Sequence, residues 1–160
     1  MERDDLLSVN IICLDIEAES SEDAIKKLGQ MLVENSYIKP SYVNNVILRE
    51  KIFPTGLILD TMGIAIPHAT PSDDVLKDGI AVTRLKKPVG FYCMEDPEKK
   101  IDVSMIFMLS LCGNNKHLGI LKKLFSIFRN RELVELLQDS KDKNDFLQLL
   151  SKNLNIKGEI

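Results

Sequence analysis

The sequence predicts an α/β fold in which helices cover a mixed β-sheet, and three observations carry that reading. The chain has 160 residues, the size of one ordinary domain. Short runs rich in β-branched residues are interspersed with segments whose apolar residues recur at helical spacing. No internal repeat, low-complexity tract or long linker divides it, so residues 1–160 read as a single domain with its core over about residues 6–150.

Val9–Ile16 (VNIICLDI) is short, apolar and bounded by polar residues, which predicts a buried strand. Ser20 then stands as an N-cap, with Glu22 and Asp23 in the first turn where the helix dipole favours acids. Ala24, Ile25, Leu28, Met31 and Leu32 continue an amphipathic helix to about Asn35. Pro40-Ser41 opens a second helix carrying Tyr42, Val43, Val46, Ile47 and Leu48 toward Arg49-Glu50-Lys51. Pro54 and Thr55-Gly56 are expected to end it in a turn. Gly63–Ile66 is a short strand stopped by Pro67, Gly79–Leu85 another, and Val89–Tyr92 an edge strand or a bend. Asp102–Leu111 is a strong strand prediction. Gly113-Asn114-Asn115 forms a turn, with Asn115 able to cap a helix bearing Leu118, Leu121, Leu124, Phe125 and Phe128. Short helices follow near Glu132–Gln138 and Asn144–Ser151, and Asn155–Ile160 is expected to be loose.

Composition excludes several classes. With 21 basic and 24 acidic side chains the net charge is −3, which gives no global reason to expect nucleic acid. The start, MERDDLL, lacks a secretory pattern, and the longest apolar run, Met105–Cys112, is far short of the roughly 20 residues that span a bilayer. A soluble, cytoplasmic protein is expected. Cys13, Cys93 and Cys112 form no CxxC, which suggests neither a disulfide framework nor a zinc knuckle. Cys13 and Cys112 read as core residues and Cys93 as the one able to be exposed. The P-loop, GxGxxG, HExxH and nucleophile-elbow patterns are absent, and neither metal nor cofactor is implied.

The chemistry centres on the two histidines, His68 and His117. Histidine is the side chain whose ordinary pKa lies nearest neutrality, so a neutral ring nitrogen can serve as a nucleophile. His68 follows Gly63-Ile64-Ala65-Ile66-Pro67. Proline cannot continue a central ladder, so His68 sits at a strand exit, where α/β proteins often build sites. The plain alternative is a solvated or core-edge histidine. His117 shares a helical face with Leu121, Leu124 and Phe128, which points it inward. It reads either as a hydrogen-bonded core residue or as a donor kept neutral by the positive field of a helix start, suited to steadying a phosphoryl group. Arg49 is either a helix C-terminal charge or a planar fork for phosphate oxygens.

In order and spacing, Arg49-Glu50, Thr55-Gly56 and Ile64-Ala65-Ile66-Pro67-His68 resemble the type-2 enzyme IIA family of the bacterial sugar phosphotransferase system. The resemblance runs from about Leu6 to Leu150 and includes Ile106–Leu109 and His117-Leu118. It implies the mannitol-type enzyme IIA fold, with His68 as phosphoryl acceptor from the carrier protein HPr. His117 and Arg49 match positions that stabilise the phosphoryl group, with Thr55, Gly56 and Glu50 as further substrate-binding candidates. It also implies donation to a cysteine of an enzyme IIB, which serves a membrane enzyme IIC, both expected on separate polypeptides. Phe53-Pro54-Thr55-Gly56-Leu57 and the IFMLSL…KHLGIL stretch look most like galactitol-type components. Leu59-Asp60-Thr61-Met62 departs from the more glycine-rich fructose and mannitol patterns.

Two rivals stand beside this reading. A nitrogen-type enzyme IIA shares the fold but acts by binding other proteins. A metal-dependent hydrolase would use His68, His117 and a carboxylate such as Asp60, but the sequence offers no compact set of three ligands.

Overall fold

The computed structural model describes residues 6–154, with the backbone alone at residues 114–117. The elements run β1 (Ile12–Ile16), α1 (Ser21–Glu34), α2 (Pro40–Ile52), β2 (Gly56–Ile58), β3 (Gly63–Ala65), β4 (Gly79–Tyr92), β5 (Lys100–Ser110), α3 (Asn114–Phe128), α4 (Arg131–Asp139) and α5 (Lys143–Leu154). The strands form one mixed sheet in the order β1-β4-β5-β3-β2. The β1/β4 and β3/β5 pairs are parallel, and β4/β5 and β2/β3 are antiparallel.

Each face of the sheet has its own apolar core. On one, Ala24, Ile25, Leu28 and Leu32 of α1 and Tyr42, Val46 and Ile47 of α2 meet Ala65, Ala81, Val103, Ile106 and Met108. On the other, Leu124 and Phe128 of α3, Leu133 and Leu137 of α4 and Phe146 and Leu150 of α5 meet Ile64, Ile80, Val82, Met105, Phe107 and Leu109. A sheet buried on both faces explains why β5 reads as an unbroken apolar run rather than an alternation. Its inward phase changes between Val103 and Met105, where the register against β3 also shifts. One extra residue turns every later side chain to the opposite face.

Several sequence expectations hold in detail. Ser20 caps α1 by accepting from the N–H of Asp23 at 3.0 Å. Others change. Val9–Ile11 is a 3-10 turn, so the first strand starts at Ile12. Gly79–Tyr92 is one strand with an irregularity between Arg84 and Val89, the stretch that holds Pro88, which has no N–H to give a ladder. Helix α3 starts at Asn114 with Gly113 at its N-cap, so Asn115 lies inside the helix. The cysteine assignment reverses for two residues: Cys93 is buried and Cys112 exposed, while Cys13 is half-buried. Cys93 is drawn in because it bridges to Gly56 beside β2, whereas Cys112 lies beyond the end of β5. The tail from Asn155 falls outside the described residues. No helix among the described residues is long and apolar enough to cross a membrane.

Strand β2 is the element the sequence reading missed, because Thr55-Gly56 reads as a turn. Gly56 pairs with Ala65 and packs against the backbone beyond β4. A Cβ there would stand 2.5 Å from the Tyr92 carbonyl oxygen, so only glycine allows the approach.

Candidate functional site

Helix α2 and strand β3 build the site between them. Tyr42, Val46 and Glu50 follow at four-residue steps and are all buried, so one face of α2 lies against the sheet. The last ladder pair between β2 and β3 is Gly56 with Ala65. One step further, side chains replace the main-chain ladder. The Thr55 N–H donates to Glu50 Oε2 at 2.8 Å, the Thr55 hydroxyl donates to Glu50 Oε1 at 2.9 Å, and the Ile66 N–H donates to Thr55 Oγ1 at 3.1 Å.

The Ile66 carbonyl then meets Nδ1 of His68 at 2.7 Å. A carbonyl oxygen can only accept, so Nδ1 carries the hydrogen, and in the neutral ring the lone pair is on Nε2. Pro67 contributes no N–H, but its carbonyl accepts from the N–H of Leu109 at 3.1 Å, which ties the strand exit to β5. Beyond His68, the Tyr42 hydroxyl accepts from the N–H of Ala69 at 3.1 Å and donates to the Leu109 carbonyl at 2.8 Å. The half-buried His68 is thus gripped on both sides by residues of α2: Glu50, acting through Thr55, before it and Tyr42 after it.

Burial shapes the two titratable groups of this frame. It lifts the Glu50 carboxyl to about 7, against the opposing effect of its two bonds from Thr55. It raises the Tyr42 phenol to about 12, so the hydroxyl stays protonated and able to donate.

The sequence-derived candidates therefore separate. His68, Thr55 and Glu50 come together in one chain of bonds, but the Glu50 carboxylate and Thr55 hydroxyl are turned into the protein. Gly56 serves a close backbone approach. The end of α2 lies over the β2/β3 exit, and burial commits the polar groups of Glu50 and Thr55 to each other and to Ile66. Arg49 is half-buried in the last turn of α2, its guanidinium 4.8 Å from the centre of the Phe53 ring. It takes no part in the bonds around Ile66. His117 lies in the first turns of α3; its side chain, and the inward orientation expected of it, fall outside the description. Tyr42 and the Ile66 carbonyl were missed, since a tyrosine on an apolar helix face carries no signal of a partner 27 residues away. Among the described residues no three His, Cys, Asp or Glu side chains are grouped to hold a metal ion.

A histidine fixed through one ring nitrogen at a strand exit defines a candidate nucleophile on a mixed α/β sheet. The family model described as "Phosphoenolpyruvate-dependent sugar phosphotransferase system, EIIA 2" matches residues 5–153, and the chain belongs to that family. It is 33% identical over 147 residues to the mannitol-specific EIICBA component of Pasteurella multocida, a match covering 91% of this chain and 22% of that protein. The chain thus spans about a fifth of the length of that relative. It is 31% identical to the mannitol-specific phosphotransferase enzyme IIA component of Halalkalibacterium halodurans, covering 92% of this chain and 95% of the relative. Among solved structures, it is similar to the complex of mannitol enzyme IIA with phosphorylated enzyme IIB from Escherichia coli (TM-score 0.77, 28% identity, covering 92% of this chain and 99% of that one). It is also similar to the nitrogen regulatory protein IIA-Ntr of Neisseria meningitidis (TM-score 0.76, 29% identity, covering 91% and 96%). The single α/β domain with its five-stranded mixed sheet is the fold of the mannitol enzyme IIA structures.

Proposed function

We propose that the chain is a cytoplasmic phosphocarrier, a single enzyme IIA domain that takes a phosphoryl group from phospho-HPr on His68 and passes it to a cysteine of an enzyme IIB serving a membrane enzyme IIC. The observation that supports this most is the bond from His68 Nδ1 to the Ile66 carbonyl. It holds the ring in the tautomer whose Nε2 lone pair can attack phosphorus in line. A P–Nε2 bond forms as the donor's bond to phosphorus breaks, and the second transfer repeats the exchange with His68 as leaving group. Arg49 and His117 are assigned to the charge on the equatorial oxygens, and positioning supplies most of the acceleration.

For the sugar, the sequence pointed to galactitol, whereas the relatives named above are mannitol-specific. A polyol satisfies both, with mannitol favoured by the named relatives. The alternative is regulation by protein binding, favoured by the likeness to IIA-Ntr. The two part at donation: a transporter component loses its phosphoryl group rapidly to a cognate enzyme IIB, and a regulator keeps it.

The deciding experiment mixes the purified chain with phosphoenolpyruvate, enzyme I and HPr and follows intact mass. One acid-labile phosphoryl group is expected on the wild type, none on His68→Ala, and a slower gain on His117→Ala. Stoichiometric phosphorylation of His68→Ala would refute the assignment.

A further inference from the structure

The ladder between β2 and β3 ends in an unusual way. At the pair after Gly56 and Ala65, both main-chain partners have turned to side chains: the Thr55 N–H goes to Glu50, and the Ile66 N–H goes to the Thr55 hydroxyl. A hydroxyl has one hydrogen. Because Glu50 Oε1 accepts it, a lone pair of Oγ1 is left facing the Ile66 N–H. The same peptide-linked residue then presents its carbonyl to His68. Both polar groups of Ile66 are therefore fixed, one by Thr55 and one by the nucleophile. All four residues lie within buried or half-buried surroundings, where water is a poor substitute for a lost partner.

We propose that Thr55, oriented by Glu50, is a positioning residue of the reaction: it fixes Ile66 so that the Ile66 carbonyl holds His68 in the tautomer with its hydrogen on Nδ1 and its ring lone pair on Nε2. This rests on the phosphocarrier reading for its kinetic consequence, but not for its structural one. The Glu50 carboxylate and the Thr55 hydroxyl are committed to each other and to Ile66. Their effect reaches the reacting nitrogen through the main chain of Ile66. Thr55 and Glu50 thus act on the rate of transfer rather than on the recognition of the partner.

The test uses the whole chain and two readouts. Ring 15N spectra report the tautomer of His68 in the free protein; with only two histidines in the sequence, His68→Gln assigns the signals. Phosphorylation by phospho-HPr gives kcat and KM. The wild type is expected to show hydrogen on Nδ1. Thr55→Val keeps the shape and removes the hydroxyl. It is expected to shift the neutral ring toward the Nε2–H form and to lower kcat by about tenfold or more, with KM changed by less than about twofold. Thr55→Ser restores the hydroxyl and is expected to recover both. A folded Thr55→Val with the wild-type ring spectrum and kcat overturns the proposal, as does a Thr55→Ser as impaired as Thr55→Val, since the methyl contact would then be what matters. If Thr55→Val does not fold, Glu50→Gln decides. It puts an amide donor among the Thr55 donors, and a wild-type ring spectrum in that variant overturns the proposal. A wild type that accepts no phosphoryl group refutes the phosphocarrier reading alone, and the ring spectra still judge the role of Thr55.

Discussion

Folding alters the chemistry of Glu50 strongly. Burial lifts its carboxyl from an ordinary 4.5 to about 7, although both oxygens accept bonds from Thr55. A cleft of about 260 Å³ that also touches Ser21, Glu22, Lys51 and Tyr92 lies beside it. The folded chain therefore binds this proton more tightly than the unfolded one. The resulting stability is present in full below the ordinary value and is lost as pH rises through the folded one. A shift of this size corresponds to something on the order of 3 kcal/mol. Urea unfolding between about pH 5 and 8 is expected to show this decline in the wild type and a flatter profile in Glu50→Gln, which has no proton to lose. Parallel profiles would mean that the Glu50 carboxyl titrates at its ordinary value.

At the scale of elements, α2 is the arm that holds the His68 segment. Tyr42 binds Ala69 and Leu109, and Glu50 reaches Ile66 through Thr55. The start of the same helix is anchored to the loop beyond His68: Asp74 accepts from the Ser41 hydroxyl at 2.7 Å, from Asn45 at 3.2 Å and from Ser72, and its carbonyl accepts from the Lys39 N–H. The Ser72 hydroxyl, contributing most, and the Ser41 hydroxyl hold the Asp74 carboxyl below its usual range. Removing the Tyr42 hydroxyl leaves the buried Ala69 N–H and Leu109 carbonyl short of a partner. Tyr42→Phe is expected to destabilise the protein by about 1–3 kcal/mol and to raise amide exchange at Ala69. A denaturation curve with hydrogen exchange checks both, and an unchanged rate at Ala69 would separate α2 from the His68 segment.

At the scale of the whole molecule, the sheet must stay joined to the helices on both faces. Arg84 does this on the α3–α5 side. Its guanidinium leaves β4 to donate to the carbonyls of Leu137, Gln138 and Ser140 at the end of α4, and to Asp15 at 2.9 and 3.0 Å. A cation at a helix C-terminus satisfies carbonyls that have no intrahelical partner. The two ends of the Asp15 pair differ in consequence, because the Arg84 side chain is 7% exposed and that of Asp15 59%. Arg84→Met is expected to cost about 3 kcal/mol or more, since three carbonyls lose a charged donor. Asp15→Asn is expected to cost less than about 1 kcal/mol. Denaturant midpoints for the two variants measure the contrast, and similar losses would contradict it.

Local signals determined much of this protein. The Ser20 cap of α1, the Pro40 opening of α2, the apolar spacing of both helices, the runs of β3 and β5, and the Pro67-His68 exit were all legible, because each rests on residues within a turn or a strand of one another. The family was legible in the spacing of Arg49-Glu50, Thr55-Gly56 and Ile64–His68. What needed the tertiary structure was decided by contacts far apart in sequence. Strand β2 exists because β3 is there to pair with it. The phase of β5 changes at a bulge set by its neighbour, and Cys93 is buried by its bridge to Gly56. The bonds of Glu50 and Thr55 were decided in the same way. Read alone, a carboxylate and a hydroxyl near a histidine suggest contact with a ligand. In the folded chain the end of α2 covers them, and a polar group removed from water must bond to what the fold places beside it.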